Sequence, residues 1–203
     1  MEDNSLETEK VEVNLSSFYR LLHPKLAVLI TSLNTLKDKP NIMTLAWAMP
    51  ISRDPPLLLI GMAPQRYSHE LIAGPKEFVV NIPTMDIIKE TLFCGKTTGR
   101  GHDKFAETGL TPLPAKMIRP PIIKECIAHL ECKLHQQIVM GDHTVFVGEV
   151  LTAYVNKDAF LNSKFDLEKV KLLYHAGGNE FATLNSETVT PILEKVKEQK
   201  KSL

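Results

Sequence analysis

Cysteine is scarce in this chain of 203 residues, and the spacing of the few cysteines excludes two kinds of structure. Cys94, Cys126 and Cys132 are odd in number and form no Cys-x-x-Cys pair. A secreted disulfide framework uses an even number of cysteines, and a structural zinc site uses closely paired ones. The sequence therefore predicts free thiols, no metal site and a reducing, cytoplasmic location.

An excess of one charge and long apolar runs are also missing. Lys and Arg total 24 and Asp and Glu also total 24, and only 6% of residues are aromatic, which argues against a basic groove that stacks nucleic-acid bases. The longest apolar run, near residues 26–30, is far shorter than the roughly 20 residues of a membrane-spanning helix. The acidic N-terminus resembles no secretory signal. We expect neither nucleic acid nor membrane as a partner.

Short aliphatic runs separated by proline-containing turns dominate what is present. The runs at residues 26–30, 42–48, 57–62 and 78–82 predict strands. Thr84 is a candidate cap for a helix over residues 85–94 with Gly95 as its left-handed stop, and a second short helix should follow Asp103 and end at Gly109. The length suits one domain. We expect a mainly β fold with α elements, built around a barrel of about six strands.

The segment from residue 131 to residue 150 has the pattern of a long hairpin. Two alternating stretches flank a turn that contains Gly141, Asp142 and His143. His143 either contacts a bound molecule or is a turn residue that pins the hairpin to Asp142 or to a backbone carbonyl. We weigh these two interpretations evenly.

Alternation also assigns faces to the first strand of this hairpin. Cys126 and Cys132 share the predicted core face, while His129 and His135 fall on the polar face, where solvated surface is the favoured interpretation. Farther on, residues 190–201 predict a charged amphipathic helix, to which we assign no chemistry.

A basic turn before a predicted helix indicates an anion site. Ser68 stands where the helix should begin, and Arg66 lies two residues upstream. Helix N-termini favour anions, and a guanidinium is suited to a phosphate. From this segment alone, an ordinary helix cap with a solvated arginine is the more probable interpretation.

The strand predicted at residues 42–48 has one face of small side chains. Ile42, Thr44, Ala46 and Ala48 point one way in an ideal strand, and Asn41 and Trp47 point the other. Such a face leaves room for a planar ring near the backbone, and strand amides beside Thr44 and Ala46 could bond the edge of a heterocycle. A barrel strand that merely accommodates a neighbour is equally compatible with the pattern.

Taken together and in order, these segments resemble the flavin reductase-like family with the FMN-binding split-barrel fold, most closely its flavoredoxin-type branch. The similarity covers about residues 20–180. The resemblance implies a six-stranded split β-barrel with short flanking helices, an N-terminal extension over residues 1–19 and a C-terminal helix or tail over residues 181–203. Five motifs carry it: Asn41-x-x-Thr44-x-Ala46-Trp47, Arg66-Tyr67-Ser68-x-x-Leu71-Ile72, Phe78-Val79-Val80-Asn81, Gly99-x-x-x-Asp103-Lys104-Phe105, and Gly141-Asp142-His143 followed by Gly148-Glu149-Val150.

The resemblance also implies a cofactor and the residues that hold it. FMN would lie across the strand that ends at Ala48, with its phosphate near the basic turn and Lys104 and its ring or ribityl chain near Asn81. The family often has Ser-Gly before its Asp-Lys-Phe motif, and Thr98-Gly99 stands here instead. The expected cofactor-binding residues are Asn41, Thr44, Ala46, Trp47, Ala48, Arg66, Tyr67, Ser68, Asn81, Thr98 and Lys104.

The function implied by the resemblance is an FMN oxidoreductase that acts as a homodimer. Electrons would pass from NAD(P)H or a protein donor through FMN to free flavin, ferric iron or another acceptor, with His143 as the candidate catalytic residue. A Gly-x-Gly-x-x-Gly fingerprint is absent, so a nicotinamide would bind without a Rossmann domain. The alternative is a non-catalytic FMN carrier that shuttles electrons between proteins.

Overall fold

The computed structural model describes residues 10–189 and is built mainly from antiparallel strands. Three α-helices are present in this range: α1 (Tyr67–Ala73), α2 (Ile88–Lys96) and α3 (Lys104–Thr108). Short 3-10 helices span Leu15–Leu22, Met85–Ile87 and Lys157–Ala159. The strands are β1 (Lys25–Leu26), β2 (Val28–Asn34), β3 (Lys39–Leu45), β4 (Ala48–Arg53), β5 (Pro56–Met62), β6 (Glu77–Ile82), β7 (Pro112–Leu113), β8 (Ile122–Ile123), β9 (Ala128–Met140), β10 (His143–Val155), β11 (Phe160–Leu161), β12 (Lys164–Phe165), β13 (Tyr174–Gly177) and β14 (Glu180–Ala182).

Seven of these strands form one antiparallel sheet in the order β3-β2-β6-β9-β10-β5-β4. The predicted hairpin is confirmed as β9 and β10, each 13 residues long, with Gly141 at a φ of 59° in the turn. A smaller sheet, β1-β13-β14, joins the beginning of the described chain to its end, with Lys25 opposite His175.

The connection between β3 and β4 constrains the shape of the large sheet. These strands are its two edges, yet only Ala46 and Trp47 separate them. A flat sheet of seven strands would put its edges about 29 Å apart, whereas the step from Leu45 to Ala48 can span at most about 11 Å. The sheet therefore curls until its edges approach each other at this corner, where the Gly61 N–H donates to the Trp47 carbonyl oxygen at 2.8 Å.

Two expectations about this region need correction. The strand predicted over residues 42–48 is not continuous, because the chain leaves one edge at Leu45 and joins the other at Ala48. The expected six-stranded split barrel is not confirmed: the sheet has seven strands, and no strand pairing between residues 10 and 189 closes it. The mainly β class with a few helices is confirmed.

Ile72 of helix α1 belongs to the larger apolar cluster of the sheet, together with Phe78, whereas α2 and α3 contribute to a second cluster of apolar side chains. The Cys94 thiol lies fully buried in this cluster, and burial raises its pKa to about 11. Cys126 and Cys132 are also buried, and burial raises the pKa of both thiols. All three cysteines are free, as predicted. The cluster contains Leu29, Ile42, Ile87, Cys94, Phe105, Leu110, Ile123 and Cys126.

The two predicted helices differ in how well their ends agree with the structure. The helix after Asp103 is confirmed: the Asp103 carboxylate accepts from the Ala106 N–H, and Gly109 stops the helix at a φ of 73°. In the other helix, Gly95 is not a stop but lies inside α2. A Cβ on Gly95 would stand 3.2 Å from the Thr44 Cβ, so glycine there lets α2 pack closely on β3.

The prediction of a solvated His129 is wrong. The side chain is 5% exposed, and its Nδ1 donates to the Asn81 Oδ1 at 2.9 Å. Glu131, on the same predicted polar face, is fully buried and accepts from the backbone N–H groups of Lys116 and Met117. The segment before β9 covers this face of the sheet, whereas His135, nearer the hairpin turn, is exposed as predicted.

Two further sequence expectations concern the chain ends and the membrane. The helix predicted over residues 190–201 lies outside the described residues. Between residues 10 and 189, no helix combines the length and the apolar character needed to cross a bilayer.

Burial of His129 predicts a loss of stability in mild acid. Desolvation lowers its pKa from 6.5 to about 4, so below pH 6.5 the unfolded state binds a proton that the folded state does not. Stability should fall as the pH drops from about 6.5 towards 4, by up to about 3 kcal/mol from this group. Urea unfolding followed by far-ultraviolet circular dichroism across this range would measure the loss.

A His129→Gln variant should lack this part of the pH dependence while keeping a donor for Asn81. The matched control is His135→Gln, because His135 is an exposed histidine on the same strand. An identical pH profile for wild type and His129→Gln would contradict the prediction.

Candidate functional site

A cavity of about 490 Å³ opens beside the crossing from β3 to β4. This volume is within the usual range for small-molecule sites. Its wall combines the end of β3, the crossing residues, the start of α1, the segment from α2 to α3, the first 3-10 helix and the β13–β14 hairpin.

Most of the residues expected to bind a cofactor line this one cavity. Ala48 does not line it, since Ala48 begins β4 opposite Ile60. Asn81 is also absent from the wall: it is fully buried, its amide nitrogen donates to the Leu29 carbonyl, and its Oδ1 accepts from Ile123 and His129. The expected residues that do line the cavity are Asn41, Thr44, Ala46, Trp47, Arg66, Tyr67, Ser68, Thr98, Lys104 and His143.

A buried amide, a hydroxyl and a glycine form one polar corner of the cavity. Asn41 is 5% exposed and donates from Nδ2 to the Ser68 Oγ at 2.8 Å. Its Oδ1 is buried and has no hydrogen-bond partner among the described residues. Gly99 permits this arrangement, because a Cβ there would lie 1.9 Å from the Asn41 Oδ1.

The expected cap role of Ser68 is wrong, although its place in the cavity is right. Helix α1 begins at Tyr67 with Arg66 in the cap position, and no side chain caps it. Ser68 lies inside the helix and is 2% exposed, so its hydroxyl serves Asn41 and the cavity wall. The Ser68 hydroxyl is therefore not a helix cap, whereas Arg66 is exposed, as the alternative interpretation expected.

Lys104 places a buried cation in the same part of the cavity. It is 4% exposed, and its ammonium donates to the carbonyl oxygens of Ile42 and Cys94, both at 2.8 Å. Burial, together with the positive charge of Arg66, lowers its pKa to about 8. A bound anion would relieve both effects.

Thr44 links two elements of the cavity wall. Its hydroxyl donates to the Thr91 carbonyl oxygen, which ties β3 to α2. The Thr91 hydroxyl is itself buried without a partner among the described residues. Because the Thr44 hydroxyl hydrogen is engaged, a ligand could only donate to the Thr44 oxygen, and the expected contacts to the strand backbone stay a prediction.

The other end of the cavity is aromatic. The Trp47 and His143 rings are stacked with centroids 4.6 Å apart, and the Tyr19 ring meets Trp47 at 5.8 Å. The His143 Nδ1 bonds the Asp142 carboxylate at 2.8 Å, as expected for a turn residue that pins the hairpin. His143 also lines the cavity, and its contact with a ligand stays a prediction.

Sequence reasoning missed a part of the wall that comes from the two ends of the described chain. These residues lie on the first 3-10 helix and on the small sheet, and they carry no shared motif because more than 140 positions separate the two groups. They are Tyr19, Arg20, His23, His175, Gly178 and Phe181.

The cavity wall has a strong charge asymmetry. Among the described residues that line it there is no aspartate or glutamate, whereas Arg20, Arg66, Lys96 and Lys104 all contribute. Acidic and basic residues are equal in number over the whole chain, so this asymmetry is local to the cavity. It favours an anionic ligand.

Comparison with known proteins agrees with the resemblance stated above. A family model described as flavin reductase like domain matches residues 19–182. An uncharacterized protein of Archaeoglobus fulgidus is 38% identical over 154 residues, which are 76% of this chain and 86% of that protein. An NADH-dependent FAD reductase of Streptomyces globisporus is 30% identical over 117 residues, or 57% of this chain and 63% of that enzyme.

A solved structure shows the same fold. The flavoredoxin of Methanosarcina acetivorans superimposes with a TM-score of 0.80 at 28% identity. The match covers 94% of this chain and 98% of that one.

Replacing Gly99 with Ala should disturb the polar corner. The new Cβ would overlap the Asn41 amide, and overpacking of this kind costs about 1–3 kcal/mol of unfolding free energy. Urea denaturation would measure the change.

Gly101→Ala is the matched control, because a Cβ at Gly101 would meet nothing within 4 Å. It should change stability by less than about 0.5 kcal/mol. Equal effects of the two substitutions would show that the close approach at Gly99 is not required.

Proposed function

The chain belongs to the flavin reductase like domain family, and from this premise we propose that it is an FMN-binding oxidoreductase of the flavin reductase and flavoredoxin type. The observation that carries the proposal is one cavity with a cationic corner and an aromatic end, joined along β3. From Asn41 to Leu45 the strand covers about 13 Å. An elongated ligand with a phosphate at one end and a flat ring at the other suits this arrangement.

The cationic corner fits the phosphate of FMN. Arg66 and Lys104 supply charge, and Ser68 supplies a hydroxyl. The unpartnered Asn41 Oδ1 and Thr91 hydroxyl supply polar groups for the ribityl chain. Thr98, beside Gly99, lines the same corner and stands where the family often has serine.

The crossing residues fit the ring of FMN. Ala46 is small and lies outside both strands, so a flat group can approach the backbone there. When bound, FMN would supply the hydride and electron chemistry, while the protein orients it and limits access of water. His143, stacked on Trp47 at the cavity wall, is placed to position a co-substrate against the ring.

We further propose NAD(P)H as the electron donor and a free flavin, ferric iron or a similar small molecule as the acceptor. The NADH dependence of the Streptomyces globisporus relative supports this choice. A second candidate, an FMN carrier that exchanges electrons with other proteins, is supported by the structural similarity to flavoredoxin.

We also propose that the curled sheet forms the family's split barrel and that the chain acts as a homodimer. Large apolar side chains are exposed on the first 3-10 helix, where Phe18 is 57% and Leu21 is 70% exposed, and Met49 on edge strand β4 is 55% exposed. Such side chains suit a subunit interface. A sedimentation mass equal to one chain of 22.8 kDa would exclude the dimer.

FMN binding can be tested through Arg66. Arg66→Ala should weaken FMN affinity by about 1–3 kcal/mol, or roughly 5-fold to 150-fold, because a charge-assisted contact to phosphate is lost. Equilibrium dialysis with absorbance of the bound flavin would measure it.

Arg53→Ala is the control, since Arg53 ends β4 and does not line the cavity. Riboflavin, which lacks the phosphate, should bind wild type and Arg66→Ala equally well. A wild-type protein that stays colourless in excess FMN would refute the proposed function.

The electron donor distinguishes reductase from carrier. If the protein is a reductase, NADH or NADPH should bleach the bound flavin within seconds in anaerobic stopped-flow measurements, and His143→Ala should slow the bleaching. If it is a carrier, neither nucleotide should bleach the bound flavin, whereas a reduced ferredoxin should bleach it.

A further inference from the structure

The cavity contains a second basic region that the FMN phosphate does not explain. Arg66 and Lys104 stand at the polar corner, whereas Arg20, His23 and His175 line the wall formed by the chain ends. The second region is linked to the aromatic end rather than to the polar corner, because His23 and Trp47 both contact the Tyr19 ring, with centroids at 6.2 and 5.8 Å.

Arg20 is held in place without a carboxylate. No salt bridge to Arg20 occurs between residues 10 and 189. Its guanidinium lies over the Tyr19 ring at 5.0 Å and against the backbone of Gly177, where a Cβ would stand 3.0 Å from Nη1. Gly177 has a φ of 145°, so glycine is required there on conformational grounds as well. The guanidinium is thus positioned while its charge remains available.

His23 adds a hydrogen-bond acceptor. Its Nδ1 lies 3.1 Å from the His175 carbonyl oxygen, so Nδ1 carries the proton that it donates there. The Nε2 atom is buried and has no partner among the described residues, although His23 lines the cavity. Burial lowers the pKa of His23, which keeps the ring neutral and Nε2 an acceptor at neutral pH.

Further polar and aromatic groups lie beside Arg20 and His23. The His175 Nε2 bonds the Gly178 carbonyl oxygen at 3.2 Å, and the ring of Phe181 lies 5.6 Å from that of His175. The region therefore offers an exposed guanidinium, a buried acceptor and flat aromatic surfaces, beside the end of the cavity assigned to the flavin ring.

We propose that Arg20 and His23 form a second anion subsite that binds the phosphate of a planar co-substrate. Arg20 would bind the anionic group, and the His23 Nε2 would accept a hydrogen bond from an N–H or O–H of the same molecule. The co-substrate ring would lie along Tyr19 towards Trp47. This inference rests on the proposed function, because it assigns the flavin ring to the neighbouring end of the cavity.

Two sources can supply such an anion: the nicotinamide nucleotide donor and a free flavin acceptor. For each source there is a pair of compounds that differ only in the phosphate. The non-reactive pair for the donor is tetrahydronicotinamide mononucleotide and its riboside, and the pair for the acceptor is FMN and riboflavin. Titration calorimetry on the FMN-loaded protein would measure the affinity of all four.

The wild-type protein should bind the phosphorylated member of at least one pair at least tenfold more tightly than its partner, and that pair identifies the source. Arg20→Gln should abolish the preference without changing the affinity for the unphosphorylated member. Arg20→Lys, which keeps the charge, should retain part of it. Arg53→Gln, outside the cavity, should leave it intact.

Equal binding of both members of both pairs by the wild type would overturn the proposal, as would a preference that survives in Arg20→Gln. If Arg20→Gln lost affinity equally for phosphorylated and unphosphorylated ligands, Arg20 would only support the turn at Gly177, and the proposal would be wrong. FMN loading is measured first, by visible absorbance. If loading fails, the proposed function is wrong, and the nicotinamide pair titrated into the unloaded chain still tests Arg20.

Discussion

The two-residue crossing between β3 and β4 is the constraint on which the rest of the structure depends. Because Ala46 and Trp47 must join opposite edges of a seven-stranded sheet, the sheet has to curl, and the cavity opens at the corner where the edges meet. Helices α1 and α2 and the small sheet of β1, β13 and β14 all contribute residues to the wall at this corner. One short connection therefore gathers segments that are distant in sequence around a single site.

The electrostatics of the cavity follow from the lack of carboxylates among the described residues of its wall. A buried ammonium such as that of Lys104 is costly to keep charged, and its lowered pKa reflects this cost. Away from the cavity, Glu131 is satisfied by two backbone donors, and among the described residues only the Ser32 hydroxyl is a buried side-chain polar group without a partner. Around the cavity, several polar atoms have no such partner. An anionic ligand with hydroxyl groups would offset the cost of burying both kinds of group.

Local patterns predicted the parts of the structure that local forces determine. The hairpin of β9 and β10 and helix α3 with its Asp103 cap could be predicted from short motifs. Arg66 was predicted from the basic turn before α1, whereas Lys104 was expected only from the family resemblance. Alternation assigned His129 to a face but could not reveal that the segment before β9 covers that face. Likewise, no local pattern linked Arg20 to His175, since only the pairing of β1 with β13 brings them together. Predictions failed where a distant segment supplied the neighbour.

The position of Trp47 affects how this molecule can be observed. It is the only tryptophan in the chain, and it lies in the cavity wall against His143 and Tyr19 rather than in either apolar cluster. Its ultraviolet emission therefore senses whatever occupies the cavity, and a flavin nearby would quench it by energy transfer. A thermal unfolding curve followed by tryptophan fluorescence would therefore record ligand release together with loss of structure. Separating ligand release from unfolding requires a probe of the backbone.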